Sequence, residues 1–270
     1  MQKWRFVDTG CLSGPENMAL DDALLQTFDP HRSLPVLRLY GWSTPTLSLG
    51  RFQNAQEVLD LDCCRAAGVP VVRRISGGGV IYHSGELTYS LVCAPEQIPA
   101  ASSIKDAYRI LTGFLLHFYR NLGLKAEYAT DYADHGDCLG ERTPFCFAGR
   151  ESFDILVAGR KIGGNAQRRL KNIIFQHGSI PLIDTLQEGV TFMREQPVGL
   201  KERVTNLAAE GVVCDRDALV SGVVKAFTCH LNTELVGNMN TGIEQTAASE
   251  LLQDKYLNDR WNLAGEGVCR

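Results

Sequence analysis

The chain is predicted to have an α+β fold, with mixed and mostly antiparallel sheets packed against helices. Two observations lead to this class: short apolar runs typical of strands recur along the chain, and helical patterns separate them without strict βαβ alternation. With 270 residues, 44% of them hydrophobic, the chain can bury a sizeable core as one large domain or as one domain with a small appendage.

The first half of the chain begins with a strand and a capped helix. Residues 13–16 read Ser-Gly-Pro-Glu, a capping box with proline where the first helical turn tolerates it, so a helix is expected over residues 15–28. A second helix is expected over residues 55–67 and should end at Gly68. Apolar runs predict strands at residues 4–7, 34–40, 46–49, 69–72, 80–82 and 87–93.

The second half contains the clearest helical pattern in the chain. Apolar residues recur at three- and four-residue steps between residues 103 and 122, which defines one buried stripe of a helix. Further helices are expected over residues 215–231 and 245–256. The strands expected in this half are residues 152–157, 160–162 and 173–176.

Composition and charge exclude several classes of function. The formal net charge of −4 lacks the electrostatic footprint of a general nucleic-acid binder, and the basic run at residues 168–171 is expected to be solvated surface. The N-terminus lacks the apolar core of a signal peptide, and no apolar stretch approaches the ~20 residues that span a bilayer. We therefore expect a cytoplasmic protein that binds neither nucleic acid nor membrane.

The cysteines are expected to be free thiols rather than disulfides or metal ligands. Their number, nine, is odd, which suits a reducing compartment better than a secreted disulfide framework. His135, Cys138 and Cys146 have irregular spacing and no Cys-x-x-Cys pair exists, so a metal site is not expected.

Two glycine-rich runs are the most informative feature of the sequence. The first is Ser76-Gly77-Gly78-Gly79, preceded by Arg73 and Arg74, and the second is residues 159–167, Gly-Arg-Lys-Ile-Gly-Gly-Asn-Ala-Gln. Glycine lets backbone N–H groups approach a ligand closely, so these runs indicate a cradle for an acyl chain or its activated carboxyl. The first run could also be a tight hairpin turn, and neither a P-loop nor a Rossmann fingerprint fits it.

Lys161, in the second run, is the main candidate for chemistry. A lysine there could stabilise an oxyanion, neutralise a phosphate or lower the pKa of a nearby thiol, although a surface lysine in a hairpin is the alternative. Cys146 lies upstream of it, but a free cysteine is often buried packing. His83 and His177 could line the pocket or be hydrogen-bonded structural residues.

At these residues the sequence resembles the lipoate-protein ligase A and octanoyltransferase superfamily, relatives of biotin ligase catalytic domains. Each motif is short, but their order and spacing are specific. The resemblance covers residues 17–25 in the first helix, the glycine run 73–79, residues 86–90, 159–164 and 176–180, and Lys255, Tyr256, Trp261 and Asn262 near the end.

The resemblance implies an α+β catalytic domain over residues 1–270 that follows one of two chemistries. Ligases use ATP and carry or recruit an accessory domain, whereas transferases move octanoate through a cysteine thioester. The chain has no room for a C-terminal accessory domain, and Cys146 matches the nucleophile position of the Gram-positive transferases. Gly79, Asn165 and Ser84 depart from the common transferase pattern and leave the acyl donor open.

We therefore expect an octanoyltransferase that needs no cofactor, with Cys146 as nucleophile and Lys161 as its activator. The donor would be octanoyl-acyl carrier protein, and the acceptor a lysine of a lipoyl domain or of the glycine cleavage H protein. The alternatives are the catalytic half of a split ligase using ATP and Mg, and a non-catalytic protein that binds lipoate or carrier proteins. The expected substrate-binding residues are Arg73, Ser76, Gly77, Gly78, Gly79, His83, Gly163, Gly164, Asn165 and Ala166.

Overall fold

The strands form three sheets in the computed structural model, which describes residues 1–101, 103–132, 145, 149, 151–196, 199–237 and 239–267. In chain order the strands are β1 (Gln2–Leu12), β2 (Val36–Trp42), β3 (Thr46–Leu49), β4 (Val71–Arg73), β5 (Ile81–His83), β6 (Glu86–Cys93), β7 (Ala126–Tyr128), β8 (Ile155–Val157), β9 (Arg160–Ile162), β10 (Asn165–Leu170), β11 (Ile173–Pro181), β12 (Val204–Thr205) and β13 (Thr233–Val236). The helices are α1 (Gly14–Gln26), α2 (Ala55–Val58), α3 (Leu61–Ala66), α4 (Ile104–Asn121), α5 (Leu186–Thr191), α6 (Leu200–Arg203), α7 (Arg216–Leu231), α8 (Gly242–Leu251) and α9 (Asp259–Asn262).

The largest sheet has six strands in the order β10-β11-β6-β2-β1-β13. β1 runs parallel to both of its neighbours, and the other strand pairs in this sheet are antiparallel. β1 is longer than the predicted strand at residues 4–7 because it pairs on both sides, with an irregularity between Asp8 and Cys11. These mixed sheets, packed with helices, confirm the predicted α+β class.

Two apolar clusters cover this sheet. The stripe predicted on α4 is buried, and Phe114 packs edge-on against Phe227 of α7 and Tyr89 of β6. A second cluster joins α1 to Phe175 of β11 and to the C-terminal residues Tyr256 and Trp261. Burial of apolar surface on this scale is the main force that holds such layers together.

The prediction of one helix over residues 55–67 is wrong. The structure has two short helices, α2 and α3, because the Asp60 carboxylate accepts hydrogen bonds from the N–H groups of Asp62 and Cys63 and starts a new helix there. The capping box of α1 is present as predicted, with Ser13 and Glu16 bonded to each other's backbone. The helix predicted to reach residue 256 ends as a π-helical turn over Leu252–Tyr256.

The first glycine-rich run is not a hairpin turn. β4 and β5, which flank it, lie on opposite sides of β3 in a three-stranded sheet, parallel and antiparallel to it respectively. Residues 74–80, called here the glycine loop, therefore cross over one end of β3. Gly50 follows β3 and packs directly against the carbonyl of Gly78.

The remaining sheet has the order β12-β9-β8-β7 and carries Lys161 on β9. Ala158 and Gly159 turn the chain between β8 and β9, both with positive φ angles, of 49° and 75°. Among the residues that the structure describes, no helix is long and apolar enough to cross a membrane.

Candidate active site

The buried side chain of Arg74 fixes the glycine loop by hydrogen bonds to its carbonyl oxygens. Its guanidinium donates hydrogen bonds to the carbonyl oxygens of Gly77, at 2.9 Å, and Gly79, at 2.6 Å, and to the carbonyl of Ser48, at 2.9 Å. Gly78 at the tip is exposed and has a φ of 96°, a conformation that favours glycine. The loop is therefore a fixed backbone surface with an accessible tip.

Arg73 was expected to bind substrate, but its side chain bonds to backbone carbonyls. Its buried guanidinium donates to five backbone carbonyls, three of them in residues 50–53 and two in residues 261–263. Burial lowers the pKa of this guanidinium. In this structure Arg73 fastens the C-terminal segment to the segment after β3.

Ser76 and His177 connect the glycine loop to β11. The Ser76 hydroxyl lies 2.5 Å from Nε2 of His177, and Nδ1 of the same ring lies 3.9 Å from a carboxylate oxygen of Asp21 on α1. Burial, with the positive charge of Arg74 and with His83 nearby, holds the pKa of His177 well below its ordinary value. The ring is therefore neutral at physiological pH, so one of its nitrogens donates a hydrogen bond and the other accepts one.

His83 belongs to a second buried chain of hydrogen bonds. Its Nδ1 lies 2.7 Å from Oε1 of Glu86, its Nε2 lies 2.7 Å from the hydroxyl of Ser48, and its ring stacks on Trp42 at 3.8 Å. Burial alone would raise the pKa of Glu86, but His83 and the hydroxyls of Ser179 and Thr88 outweigh it and lower that pKa. Ser48 also accepts from Arg74 at 3.1 Å, so His83 supports the glycine loop indirectly.

Lys161 is buried, with 3% of its side chain exposed, so the alternative of a surface lysine in a hairpin is wrong. Its ammonium pairs with the equally buried Asp154 at 2.7 Å and donates to the carbonyl of Gly149 at 2.9 Å. The Asp154 carboxylate also accepts a hydrogen bond from the backbone N–H of Glu151, at 2.8 Å. An ion pair of this kind is stable only where both charges are satisfied by close partners.

Cys146 lies outside the described residues, and so do Cys138 and His135. The residue before it in sequence, Phe145, is buried and forms an isolated parallel bridge with Val80 at the end of the glycine loop. The residue three positions after it, Gly149, accepts the hydrogen bond from Lys161. The described neighbours of Cys146 therefore contact both glycine-rich elements.

The second glycine-rich run leads from Lys161 into β10. Gly163 has a φ of 82°, and a Cβ there would lie 2.2 Å from the carbonyl oxygen of Ser179. Asn165 accepts a hydrogen bond from Tyr89 on its side chain, at 2.7 Å, and one from Tyr108 on its backbone, at 3.0 Å. Gly164 and Ala166 share this rigid turn, with the Gly164 carbonyl bonded to the N–H of Ser179.

Sequence reasoning missed the carboxylates that organise the site. Asp154 holds Lys161, and Asp21 accepts from Arg38, Tyr40 and Ser90 in the buried core of the polar network. Asp154 could have been recognised because it is the one acidic residue in an apolar run, Phe-Asp-Ile-Leu-Val at residues 153–157. A carboxylate in such a run is almost never buried unless it is paired.

Within the described part of the chain, no group of three or more histidine, cysteine or acidic side chains could hold a metal ion.

Comparison with known sequences finds relatives that are named as acyl-transfer enzymes. A family model described as the lipoyl protein ligase A/B catalytic domain matches residues 13–231. A Geobacillus kaustophilus protein named octanoyltransferase LipM is 34% identical over 271 residues, which cover 96% of this chain and 97% of that protein. A Bacillus subtilis protein of the same name is 32% identical over 276 residues, covering 97% of this chain and 99% of that protein.

Solved structures share the fold. A bi-partite lipoate protein ligase from Thermoplasma acidophilum aligns with a TM-score of 0.81 at 23% identity, over 100% of this chain and 98% of that one. A lipoate-protein ligase A bound with ATP aligns with a TM-score of 0.79 at 24% identity, over 97% and 98% of the two chains. At these identities the likeness establishes the architecture, and the choice of chemistry depends on the site.

Proposed function

The chain belongs to the lipoyl protein ligase A/B catalytic domain family and is an octanoyltransferase, and we propose that it carries the octanoyl group as a thioester on Cys146. In this proposal octanoate comes from acyl carrier protein and passes to a lysine of a lipoyl domain. The glycine cleavage H protein is the proposed acceptor of that class. The single observation that carries the mechanism is the placement of Phe145 and Gly149, which flank Cys146, against the glycine loop and Lys161.

The reaction consists of two acyl transfers that need no ATP. The thiolate of Cys146 attacks the donor carbonyl, the carbonyl–sulfur bond of the donor breaks, and the carrier leaves as a thiolate. The acceptor lysine amine then attacks the new thioester and displaces Cys146. The proton lost by the amine balances the one taken up by the carrier thiol, and the product is an amide.

Lys161 is proposed to favour the thiolate form of Cys146. A nearby cation lowers the pKa of a thiol from its free value of about 8.5. Because Lys161 is fixed by Asp154 and by the Gly149 carbonyl, its charge has a defined position next to the segment that contains Cys146. Backbone N–H groups of residues 163–166 are proposed to stabilise the oxyanion of each tetrahedral intermediate.

Two of the described thiols are unsuited to the role of nucleophile. Burial raises the pKa of Cys64 to about 11 and that of Cys93 to about 12, so neither forms a thiolate near neutral pH. Cys11 is exposed on β1 and serves as a control for non-specific acylation. A catalytic thiol also needs a reducing compartment, and a cytoplasmic location and a single catalytic domain over residues 1–270 are parts of the proposal.

The test is the intact mass of the denatured protein after incubation with octanoyl-acyl carrier protein without ATP. We expect an octanoyl adduct that hydroxylamine removes on the wild type and on Cys11→Ser, and none on Cys146→Ser. An adduct that persists on Cys146→Ser would contradict the assignment of the nucleophile. Product formed only with ATP and an added partner protein would instead identify a split ligase.

A further inference from the structure

Three cationic side chains lie near the glycine loop, and none of them has a role in the proposed chemistry. Lys255 lies 3.8 Å above the ring of Trp261, and the guanidinium of Arg51 lies 5.6 Å from the centre of the same ring. Burial lowers the pKa of Lys255, Asp22 raises it, and the charges of Arg51 and of Arg168 on β10 lower it further. These residues, Arg51, Arg168 and Lys255, are called here the cation cluster.

The cluster has more positive charge than the nearby carboxylates neutralise. Asp22 pairs with Lys255 at 2.6 Å and also accepts from Tyr256 at 2.9 Å, so its negative charge is already committed. Among the described residues, no side-chain hydrogen bond or salt bridge joins Arg51 or Arg168 to a carboxylate, and Asp22 is the one carboxylate whose charge acts on Arg168. Burial, followed by the charge of Arg51, lowers the pKa of Arg168 by more than Asp22 and Tyr256 raise it. Half-buried cations without anionic partners favour the binding of an anion.

The structure corrects the expectation that Arg168 lies on solvated surface. On β10 it pairs with Phe175, and Ala166, two residues earlier on the same face, pairs with His177. A strand rises about 3.3 Å per residue, so Arg168 lies about 7 Å along the sheet from the residue opposite His177. Lys171, in contrast, is exposed at the end of the hairpin.

Arg51 connects the cluster to the proposed acyl site and to an open cleft. The N–H of Arg51 donates to the carbonyl of Ser76 in the glycine loop at 2.8 Å. Arg51 also lines a cleft of about 560 Å³ that opens between residues 51–56 and α9, and Asp259 is the acidic residue among those that line it. An anion can therefore reach the Arg51 guanidinium while a group attached to it extends toward the glycine loop.

We propose that Arg51, Arg168 and Lys255 bind the phosphodiester of the prosthetic arm on which an acyl carrier protein presents octanoate. This inference rests on the proposed function, because it takes the carrier as the donor. The thioester and the phosphate belong to one flexible arm, so a donor whose thioester reaches the glycine loop brings its phosphate into the same region. The acceptor offers its lysine from the protein chain and has no such phosphate.

The test compares two octanoyl donors that differ only in the phosphate, octanoyl-phosphopantetheine and octanoyl-pantetheine. For the wild type we expect a KM at least about tenfold lower with the phosphorylated donor, the effect of one or two charge-assisted hydrogen bonds. Arg168→Gln should abolish this preference without changing the KM for octanoyl-pantetheine or for the lipoyl-domain acceptor. Lys171→Gln, which removes the same charge from an exposed position, should retain the preference.

A binding measurement separates failure of this inference from failure of the proposed function. Calorimetric titration with phosphopantetheine and with pantetheine, neither of which has an acyl group, reports the site without turnover. Binding that requires both the phosphate and Arg168 would support the site even if no transfer occurred. Equal binding of the two compounds, or a rise in the KM of the acceptor rather than the donor on Arg168→Gln, would overturn it.

Discussion

Lys161 and Asp154 form an ion pair that water scarcely reaches, with 3% and 2% of the two side chains exposed. Burial of two charges is costly, and the pair is maintained by additional hydrogen bonds from the Glu151 N–H to Asp154 and from Lys161 to the Gly149 carbonyl. This geometry restrains the ammonium to one position. In the proposed mechanism, a fixed charge lowers the pKa of a thiol more effectively than a mobile one.

Asp154→Asn should therefore be strongly destabilising. Leaving the Lys161 charge buried without its carboxylate is expected to cost about 3–5 kcal/mol in the free energy of unfolding, and to slow acylation of Cys146 at least tenfold. Urea unfolding and the rate of octanoyl adduct formation measure the two effects. Asp131→Asn, at an exposed carboxylate, should change stability by less than about 0.5 kcal/mol. Equal effects of the two substitutions would contradict the importance of the pair.

His177 predicts a pH dependence of stability. Its folded-state pKa is lowered by burial, so the unfolded chain binds more protons wherever the pH lies between that pKa and about 6.5. The contribution to stability is complete above about pH 6.5 and is lost as the pH falls below it. Although Asp21 lies 3.9 Å from Nδ1, burial and the charge of Arg74 disfavour a charged imidazole at this position.

The difference between wild type and His177→Gln isolates this contribution. Glutamine can hydrogen-bond to Ser76 but does not titrate, so the free energy of unfolding of the wild type should fall more steeply between pH 6.5 and 5. The extra slope should approach, and not exceed, about 1.4 kcal/mol per pH unit. Urea unfolding at four pH values gives both slopes, and parallel curves would show that His177 is protonated freely in the folded state.

At the scale of elements, the glycine loop depends on a close backbone contact. Gly50 at the end of β3 approaches Gly78 so closely that a Cβ on Gly50 would lie 1.9 Å from the Gly78 carbonyl oxygen. Arg74 holds the other side of the loop through the carbonyls of Gly77 and Gly79. The shape of the proposed acyl site therefore depends on Gly50, after β3, and on Arg74, after β4, as well as on the glycines.

Gly50→Ala should displace the glycine loop. Since the nearest atom is backbone and cannot rotate away, we expect a loss of about 1–3 kcal/mol in stability, typical of overpacking, together with slower acylation. Gly77→Ala is the matched control for packing, because a Cβ there meets nothing within 4 Å. Its effect on stability should stay below about 1 kcal/mol. Thermal and urea unfolding of both variants decide the question, and an unperturbed Gly50→Ala would show that the loop adapts.

Local patterns predicted the elements better than they predicted the site. The stripe of α4 and the capping box of α1 depend on residues three or four positions apart, so periodicity and capping rules reveal them. Ser76 and His177 meet across 101 residues, and no local pattern specifies such a contact. The composition of the two glycine-rich runs indicated them and Lys161 as candidates, but not Asp154, because the burial of an ion pair is a property of the packed structure.

At the scale of the whole molecule, the C-terminal residues complete the fold beyond the matched residues 13–231. β13 adds to the edge of the main sheet beside β1, and Glu244 of α8 pairs with Arg5. The indole N–H of Trp261 donates to the carbonyl of Arg73 at 2.9 Å, and the Arg73 guanidinium donates to the Trp261 carbonyl at the same distance. This segment therefore contacts α1, β1 and β4, and β4 leads directly into the glycine loop.

Because of these contacts, the C-terminal segment should unfold together with the rest of the chain. The chain has three tryptophans, Trp4, Trp42 and Trp261, so Trp4→Phe with Trp42→Phe leaves Trp261 as the only one. In urea, the fluorescence of Trp261 and the far-UV circular dichroism of the whole chain should give coincident transitions, as a single cooperative unit requires. An earlier fluorescence transition would mean that the segment detaches first. In that case the cation cluster and the Arg73 contacts would form only when the segment is bound, and donor binding should then delay the fluorescence transition by mass action.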